Sequence, residues 1–288
     1  MALILLMRAM MAVFSHLAPV YSAQVFLWFT LQTRRRRASA KPCSSRAAQR
    51  VRLPAPSGGE VVLHTYQPAN VAGAPRVLLV HGWNGAATDW EALARTLQER
   101  GFAVTAADMP AHGASDGRSS SLPRFVRALQ EIDRRHGPFE VWIGHSMGAA
   151  AVVAALARGA RARRVVLING LVTPAGALRG FARHIGLSPA ATAAYLRAIE
   201  LRENMTLAEL DAAHNARRVA AEVLIVHDEH DRTIPLSEAQ RLAQAWAGAR
   251  FMRTSGLGHR RILQDARVAG VVAAFAAASE AQTLAPAA

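Results

Sequence analysis

The feature that most narrows what this chain can fold into is a regular alternation of short apolar runs with helical patterns. Strand-like runs recur at Glu60 to Tyr66, Arg76 to Val80, Ala103 to Ala107, Glu140 to Ile143, Arg164 to Ile168, Glu222 to His227 and Ala249 to Arg253. Helical patterns stand between most of them, at Thr88 to Glu99, Ser121 to Arg135, Met147 to Arg158, Leu236 to Trp246 and Leu263 to Ala277. Strand alternating with helix predicts an α/β domain, a mostly parallel sheet wrapped by helices on both faces. Ligands of such sheets bind beyond the carboxyl ends of the strands, so chemistry is sought just after each run.

One of those junctions reads GHSMGA, residues 144 to 149. A sharp turn from strand into helix strains one residue, and Gly144 and Gly148 give the backbone room to pass close to itself. Such a turn lifts the Ser146 hydroxyl clear of the sheet and sets the next backbone N–H groups at a helix start. Other junctions read His81-Gly82-Trp83-Asn84-Gly85, Asp108-Met109-Pro110-Ala111-His112-Gly113, His227-Asp228-Glu229-His230-Asp231 and Gly256-Leu257-Gly258-His259. The set therefore supplies a hydroxyl, a carboxylate and an imidazole. A serine hydroxyl needs an imidazole to take its proton, and the imidazole needs a buried carboxylate to fix its tautomer. Ser146, Asp231 and His259 fall in the order expected for this architecture.

Other residues at these junctions have simpler readings. His81 and His112 each precede or flank a glycine turn and are expected to hydrogen-bond neighbouring loops, His145 to pack under the serine turn, and Glu229 to be a solvated carboxylate. His227 and His230 suggest a metal pair, but side chains alternate at a strand end and no further ligand cluster accompanies them, so no metal or cofactor is expected.

LLVHGWNG, DMPAHGAS, GHSMGA, HDEHDRTIP and GLGH follow one another in an order that resembles the α/β-hydrolase superfamily, specifically its small bacterial-type esterase, lipase and acyl-hydrolase relatives. The resemblance covers roughly Val61 to Ala277. It implies Ser146 as nucleophile, Asp231 as acid and His259 as base, with the backbone N–H groups of Trp83 and Met147 as the oxyanion hole. The family often has a glycine where Asp228 stands, and Asp231 is preferred because its spacing to Thr233 and Pro235 fits the pattern. About fifty residues separate Gly170 from Glu222, too many for an ordinary crossover. Helical patterns at Pro189 to Arg202 and Leu207 to Ala216 predict a small cap, about 171–217, and by resemblance a cap shapes the substrate pocket. The expected activity is cleavage of carboxylic esters or thioesters through an acyl-enzyme. Perhydrolase or haloperoxidase-like, amidase and peptidase activities fit the same fold. A membrane-tethered binding protein with a vestigial site is the alternative from another class.

Composition matters most at the amino terminus. Of the 288 residues, the first 59 hold no Asp or Glu but carry Arg8, Arg34 to Arg37, Lys41, Arg46, Arg50 and Arg52, which supply most of the formal charge of +14. The remainder is only mildly basic, and Lys41 is the sole lysine, so the charge reflects an arginine-rich composition and no nucleic-acid partner is expected. Cys43 is the single cysteine, which excludes an intrachain disulfide. Ala9 to Thr33 has no acidic, lysine or arginine residue and is long enough to cross a bilayer, though Pro19 interrupts it. Arg8, Ser15 and Ser22 recur seven apart, so a helix lying on the membrane reads equally well. Residues 1–37 are thus expected to be an apolar helix plus basic run, contacting the inner face of the cell membrane and keeping the enzyme cytoplasmic, separate from the chemistry. A cleaved leader ending at Ala38-Ser39-Ala40 and a helix packed on the domain are the rival readings. Residues 38–58 are expected as a linker, 59–279 as the domain and 280–288 as a tail.

Overall fold

A computed structural model describes residues 2–34, 49–67 and 73–278. The strands are β1 (Gln49–Pro54), β2 (Glu60–Tyr66), β3 (Arg76–Val80), β4 (Ala103–Asp108), β5 (Val141–His145), β6 (Arg164–Ile168), β7 (Glu222–Asp228) and β8 (Arg250–Thr254). They form one sheet in the order β1-β2-β4-β3-β5-β6-β7-β8. The β1–β2 and β2–β4 pairs are antiparallel and the remaining pairs parallel.

The helices are α1 (Ala2–Leu17), α2 (Pro19–Leu31), α3 (Glu91–Glu99), α4 (Leu122–His136), α5 (Met147–Leu156), α6 (Pro174–Ile185), α7 (Pro189–Glu203), α8 (Ala212–Ala216), α9 (Leu236–Ala245), α10 (Gly258–Arg261) and α11 (Ala266–Ala277). Because side chains alternate along a strand, Leu78, Val80 and Trp142 enter the core shared with α4 and α5, whereas Val77, Leu79 and Ile143 enter the core shared with α3 and α11. The central strands are buried on both faces, as their unbroken apolar sequences require. The cap consists of α6, α7 and α8, inserted between β6 and β7. Ser188 starts α7 by accepting the Ala191 N–H, with Pro189 in the first turn.

The stretch expected as a linker is corrected by β1, an edge strand whose arginines face outward. Pro54, Pro56 and the Ser-Gly-Gly sequence do mark a turn. It closes the β1–β2 hairpin, with Gly58 and Gly59 at φ 87° and 72° and the Ala55 N–H donating to Gly59 O at 2.8 Å. The rest of that stretch, 38–48, lies outside the described residues, as do Arg35 to Arg37, the Ala38-Ser39-Ala40 sequence and the tail 280–288.

The amino-terminal expectation of a single helix is also corrected. A residue before proline avoids the helical region, and Ala18 sits at φ −136°, ψ 69°, so the run divides into α1 and α2. Among the described residues no helix is long and apolar enough to cross a membrane. The two helices lie as a kinked arm along the cap, the packed-on-the-domain reading. Ser15 Oγ accepts the Ser188 N–H at 2.9 Å, the Ser188 hydroxyl donates to Ser15 O at 2.7 Å, and Phe26 meets Tyr195 edge-on with ring centroids 4.7 Å apart. Ser15 and Ser22, the polar stripe expected to face water or headgroups, are instead buried against the protein.

Candidate active site

Ser146 stands between β5 and α5 at φ 54°, the left-handed region that the tight turn demands. The two glycines are there for space. A Cβ on Gly144 would lie 2.6 Å from Ala149 Cα, and one on Gly148 would collide with the carbonyls of Val80 and His81. Gly82 is equally constrained, since its Cβ would fall 2.8 Å from Ser146 Cβ. The sequence thus forces β3, β5 and α5 together at one point and raises the hydroxyl above it.

His259 and Asp231 meet Ser146 there. His259 Nδ1 lies 2.7 Å from Asp231 Oδ2 and His259 Nε2 lies 3.0 Å from Ser146 Oγ. Burial opposes the charge on Asp231, but the hydrogen bond from His259 and the Ile234 and Thr233 N–H groups outweigh it and hold the carboxyl below its usual value. An ionised carboxylate only accepts, so the His259 proton sits on Nδ1 and the Nε2 lone pair faces the serine hydroxyl. The three residues singled out in the sequence are therefore in mutual hydrogen-bond contact, across three strand ends.

Asp228, the competing carboxylate, does something else. Its oxygens accept the N–H groups of His230, Leu257 and Gly258 and the Thr254 hydroxyl, at 2.8 to 3.0 Å. Those backbone bonds overcome burial and keep it ionised. Asp228 thereby braces the loop that carries His259 without touching the imidazole. Glu229 turns outward toward Arg253. His227 Nε2 pairs with Ile234 O while His230 Nδ1 accepts the Gly256 N–H on the surface, so the two histidines of this segment diverge.

The other histidines at these strand ends, His81, His112 and His145, are loop fasteners. His81 Nε2 accepts the Met109 N–H while its Nδ1–H donates to Gly82 O, and burial lowers its pKa. His112 Nε2 accepts the Asn84 N–H while Nδ1–H donates to Pro110 O. His145 packs under the serine turn with its ring centroid 4.8 Å from that of His259, and Nε2–H donates to His259 O at 2.8 Å. Burial first, and then the neighbouring His259, lower its pKa to about 3.

Sequence reasoning missed two residues. Asn169, at φ 43°, links the acid and base loops: Oδ1 accepts the Asp228 N–H and Nδ2 donates to Gly258 O and His259 O. Its signal was an Asn-Gly pair directly after β6, another strand end. Glu238 holds the start of the cap, accepting from Thr173 N–H at 2.7 Å and the Thr173 hydroxyl at 3.1 Å. No local pattern marks it.

Two cavities open beside Ser146. One, of about 240 Å³, has a mixed lining that includes Trp83, Asp89, His259, Arg260 and Gln264. The other, of about 500 Å³, is more apolar and includes Trp83, Met147, Leu171, Ala177, Ile234 and Pro235. Trp83 lines both cavities and Met147 the second, and among the described residues neither backbone N–H donates to another protein group.

Sheet order, serine turn and cap together define an α/β hydrolase fold. The family described as alpha/beta hydrolase fold matches residues 75–205. An esterase of Pyrococcus furiosus superposes with a TM-score of 0.65 at 15% identity, covering 85% of this chain and 98% of its own. A hydrolase of Pseudomonas aeruginosa gives a TM-score of 0.61 at 20% identity, covering 81% and 100%, and a bromoperoxidase of Bacillus anthracis 0.59 at 16%, covering 79% and 99%. No curated protein matches the sequence. The chain carries the α/β-hydrolase fold, and the family match supports a hydrolase.

Proposed function

We propose that this protein is a serine hydrolase that cleaves carboxylic ester or thioester bonds through an acyl-enzyme. The observation that carries the reading is the continuous Ser146–His259–Asp231 hydrogen-bond chain. Ser146 Oγ attacks the acyl carbonyl as its proton passes to His259 Nε2, and Asp231 stabilises the imidazolium through Nδ1–H. The backbone N–H groups of Met147 and Trp83 hold the tetrahedral oxyanion. His259 then protonates the departing alcohol or thiol. Water, deprotonated by His259, attacks the acyl-serine and releases the acid. No cofactor enters these steps. The apolar cavity suits a short to medium acyl chain, and the smaller, mixed one the leaving group.

Location is part of the same reading. We place the chain in the cytoplasm at the inner face of the cell membrane, held through the arm and the arginines that follow it, a combination of apolar surface and positive charge that supports such a site.

The test is covalent labelling with a fluorophosphonate together with turnover of p-nitrophenyl esters of graded length. Wild type is expected to label and turn over, while Ser146→Ala does neither, with turnover lower by roughly a thousandfold or more and the fold intact. Labelling that persists in Ser146→Ala refutes the nucleophile; an unlabelled, inactive wild type refutes the hydrolase and favours a binding protein.

A further inference from the structure

The kink at Ala18 leaves the arm with an unusual distribution of side chains. The inward face holds Ser15, Ser22, Phe26, Leu27 and Leu31 against the cap and domain. The outward face presents Phe14, Leu17, Val20, Tyr21, Trp28 and Phe29, with Leu17 exposed to 78%, Trp28 to 66% and Val20 to 65%. Phe14 on the first helix and Tyr21 on the second meet edge-on across the kink, ring centroids 6.1 Å apart, so the exposed apolar side chains of the two helices adjoin. The arm therefore has apolar side chains on both faces, one packed on the protein and the other left facing away from it, where an ordinary surface helix would turn polar residues outward. A contiguous exposed apolar stripe of this kind marks an interaction surface.

Charge and composition decide what meets it. From residue 9 to residue 33 the arm carries no Asp, Glu, Lys or Arg, and Arg34 to Arg37 follow directly in the sequence. Trp28 and Tyr21 are the side chains that favour the boundary between headgroups and hydrocarbon. A second, positive feature adjoins the arm's docking point. Leu187 and Pro189, on either side of the Ser188 that holds Ser15, line a groove of about 690 Å³ with Arg179, Arg183 and Arg197. Among the described residues these arginines form no ion pair, whereas the groove's carboxylates are engaged, Glu200 by the Leu207 N–H and Asp211 by Arg241.

We propose that the outward face of the arm is a docking surface for an anionic phospholipid bilayer, on which the arm lies in the plane of the headgroups without spanning, while Arg179, Arg183 and Arg197 meet lipid phosphates. The inference rests on the membrane location proposed above and not on the hydrolase chemistry. Neither helix, at 16 and 13 residues, reaches across a hydrocarbon core of about 30 Å. The contact needs both apolar insertion and charge, since one weak anchor alone holds only reversibly.

The experiment uses the full chain, flotation with phosphatidylcholine vesicles with and without phosphatidylglycerol, and tryptophan quenching by lipids brominated near or far from the headgroup. Binding is read without any turnover, so Ser146→Ala is expected to bind as wild type does, and a failure of the chemistry is told apart from a failure of the docking. Wild type is expected to float only with phosphatidylglycerol, and the near-headgroup bromines to quench more, a difference lost in Trp28→Phe. The double variant Leu17→Glu, Trp28→Glu should lose at least about tenfold in bound fraction. Arg179→Ala with Arg183→Ala should lose about fivefold for each charge removed. These residues are solvent-facing, so unchanged circular dichroism and thermal midpoint are expected of every variant. The proposal fails if wild type ignores phosphatidylglycerol vesicles, if the double glutamate variant floats undiminished, or if the bromines deepest in the bilayer quench best. It also fails if sedimentation shows a dimer that the glutamates dissolve, because the stripe would then bind a second copy of this chain.

Discussion

The backbone N–H of Arg34 donates to Asn84 Oδ1 at 2.8 Å, which fastens the end of the arm to the residue next to Trp83. Thr33 adds two bonds nearby, its N–H donating to Arg118 O and its hydroxyl to Ala111 O. An arm expected to be separate from the chemistry is therefore sewn to the loops around the proposed oxyanion site. Asn84 holds φ 54°, so Asn84→Ala both removes the acceptor and strains the turn. The variant should lose about tenfold in kcat for p-nitrophenyl acetate, equivalent to about 1.4 kcal/mol, with KM changed far less. A chain begun near Ala38 would bare Tyr195 and the inner cap surface, and its thermal midpoint should fall with its activity.

The two carboxylates of the segment after β7 predict opposite phenotypes. Asp231→Asn leaves an amide beside His259 Nδ1, favours the wrong tautomer, and should lower kcat by about ten thousandfold with a modest change in stability. Asp228→Asn turns an amide donor toward a set of N–H donors and should cost about 2–3 kcal/mol of stability, while the folded enzyme keeps turnover within about tenfold. Chemical denaturation alongside steady-state kinetics separates the two.

How much of this was legible in the sequence follows from where each interaction is encoded. The strands announce themselves because a buried parallel sheet needs unbroken apolar runs, and the serine turn because sterics confine its neighbours to glycine. Strand β1 escaped notice since an edge strand needs no apolar face, and QRVRLP places charges where a central strand would place valine. The arm was readable as apolar but not as docked, because its partners Ser188 and Tyr195 lie far along the chain. Asn169 was hidden for the same reason. Its role depends on two loops arriving from opposite sides, which no local pattern records.

Acid should lower the protein's stability over two successive pH ranges. His145 has a folded pKa lowered to about 3 from 6.5, so between those values the unfolded chain binds the proton that the folded one refuses. Stability is full above pH 6.5 and falls below it, at about 1.4 kcal/mol per pH unit, or about 2 kcal/mol by pH 5 from this group. His81 and His227 shift in the same direction. The lowered Asp231 and Asp228 contribute stability above their unfolded value of 3.8 and lose it below, through their folded pKa values. Urea denaturation from pH 7 to 5 should show the decline, and His145→Gln, which cannot titrate, should flatten it.

The larger cavity predicts a chain-length filter. Ala177 is an exposed wall residue of α6 facing the space beside Ser146, so Ala177→Phe fills volume without disturbing the core. The ratio of p-nitrophenyl octanoate to acetate turnover should drop by about tenfold or more, since each methylene excluded is worth about 1–3 kcal/mol. An unchanged ratio would place the acyl chain elsewhere.

The turn that holds Ser146 at φ 54° also limits which atoms can occupy the nucleophile's place. A β-branched side chain is a severe outlier there, so threonine is barred even though it carries the same hydroxyl. Cysteine and aspartate, with a single heavy atom on Cβ, fit the same backbone. The scaffold therefore fixes the position of attack while leaving its element open, and Ser146→Cys offers a sulfur nucleophile without moving the main chain.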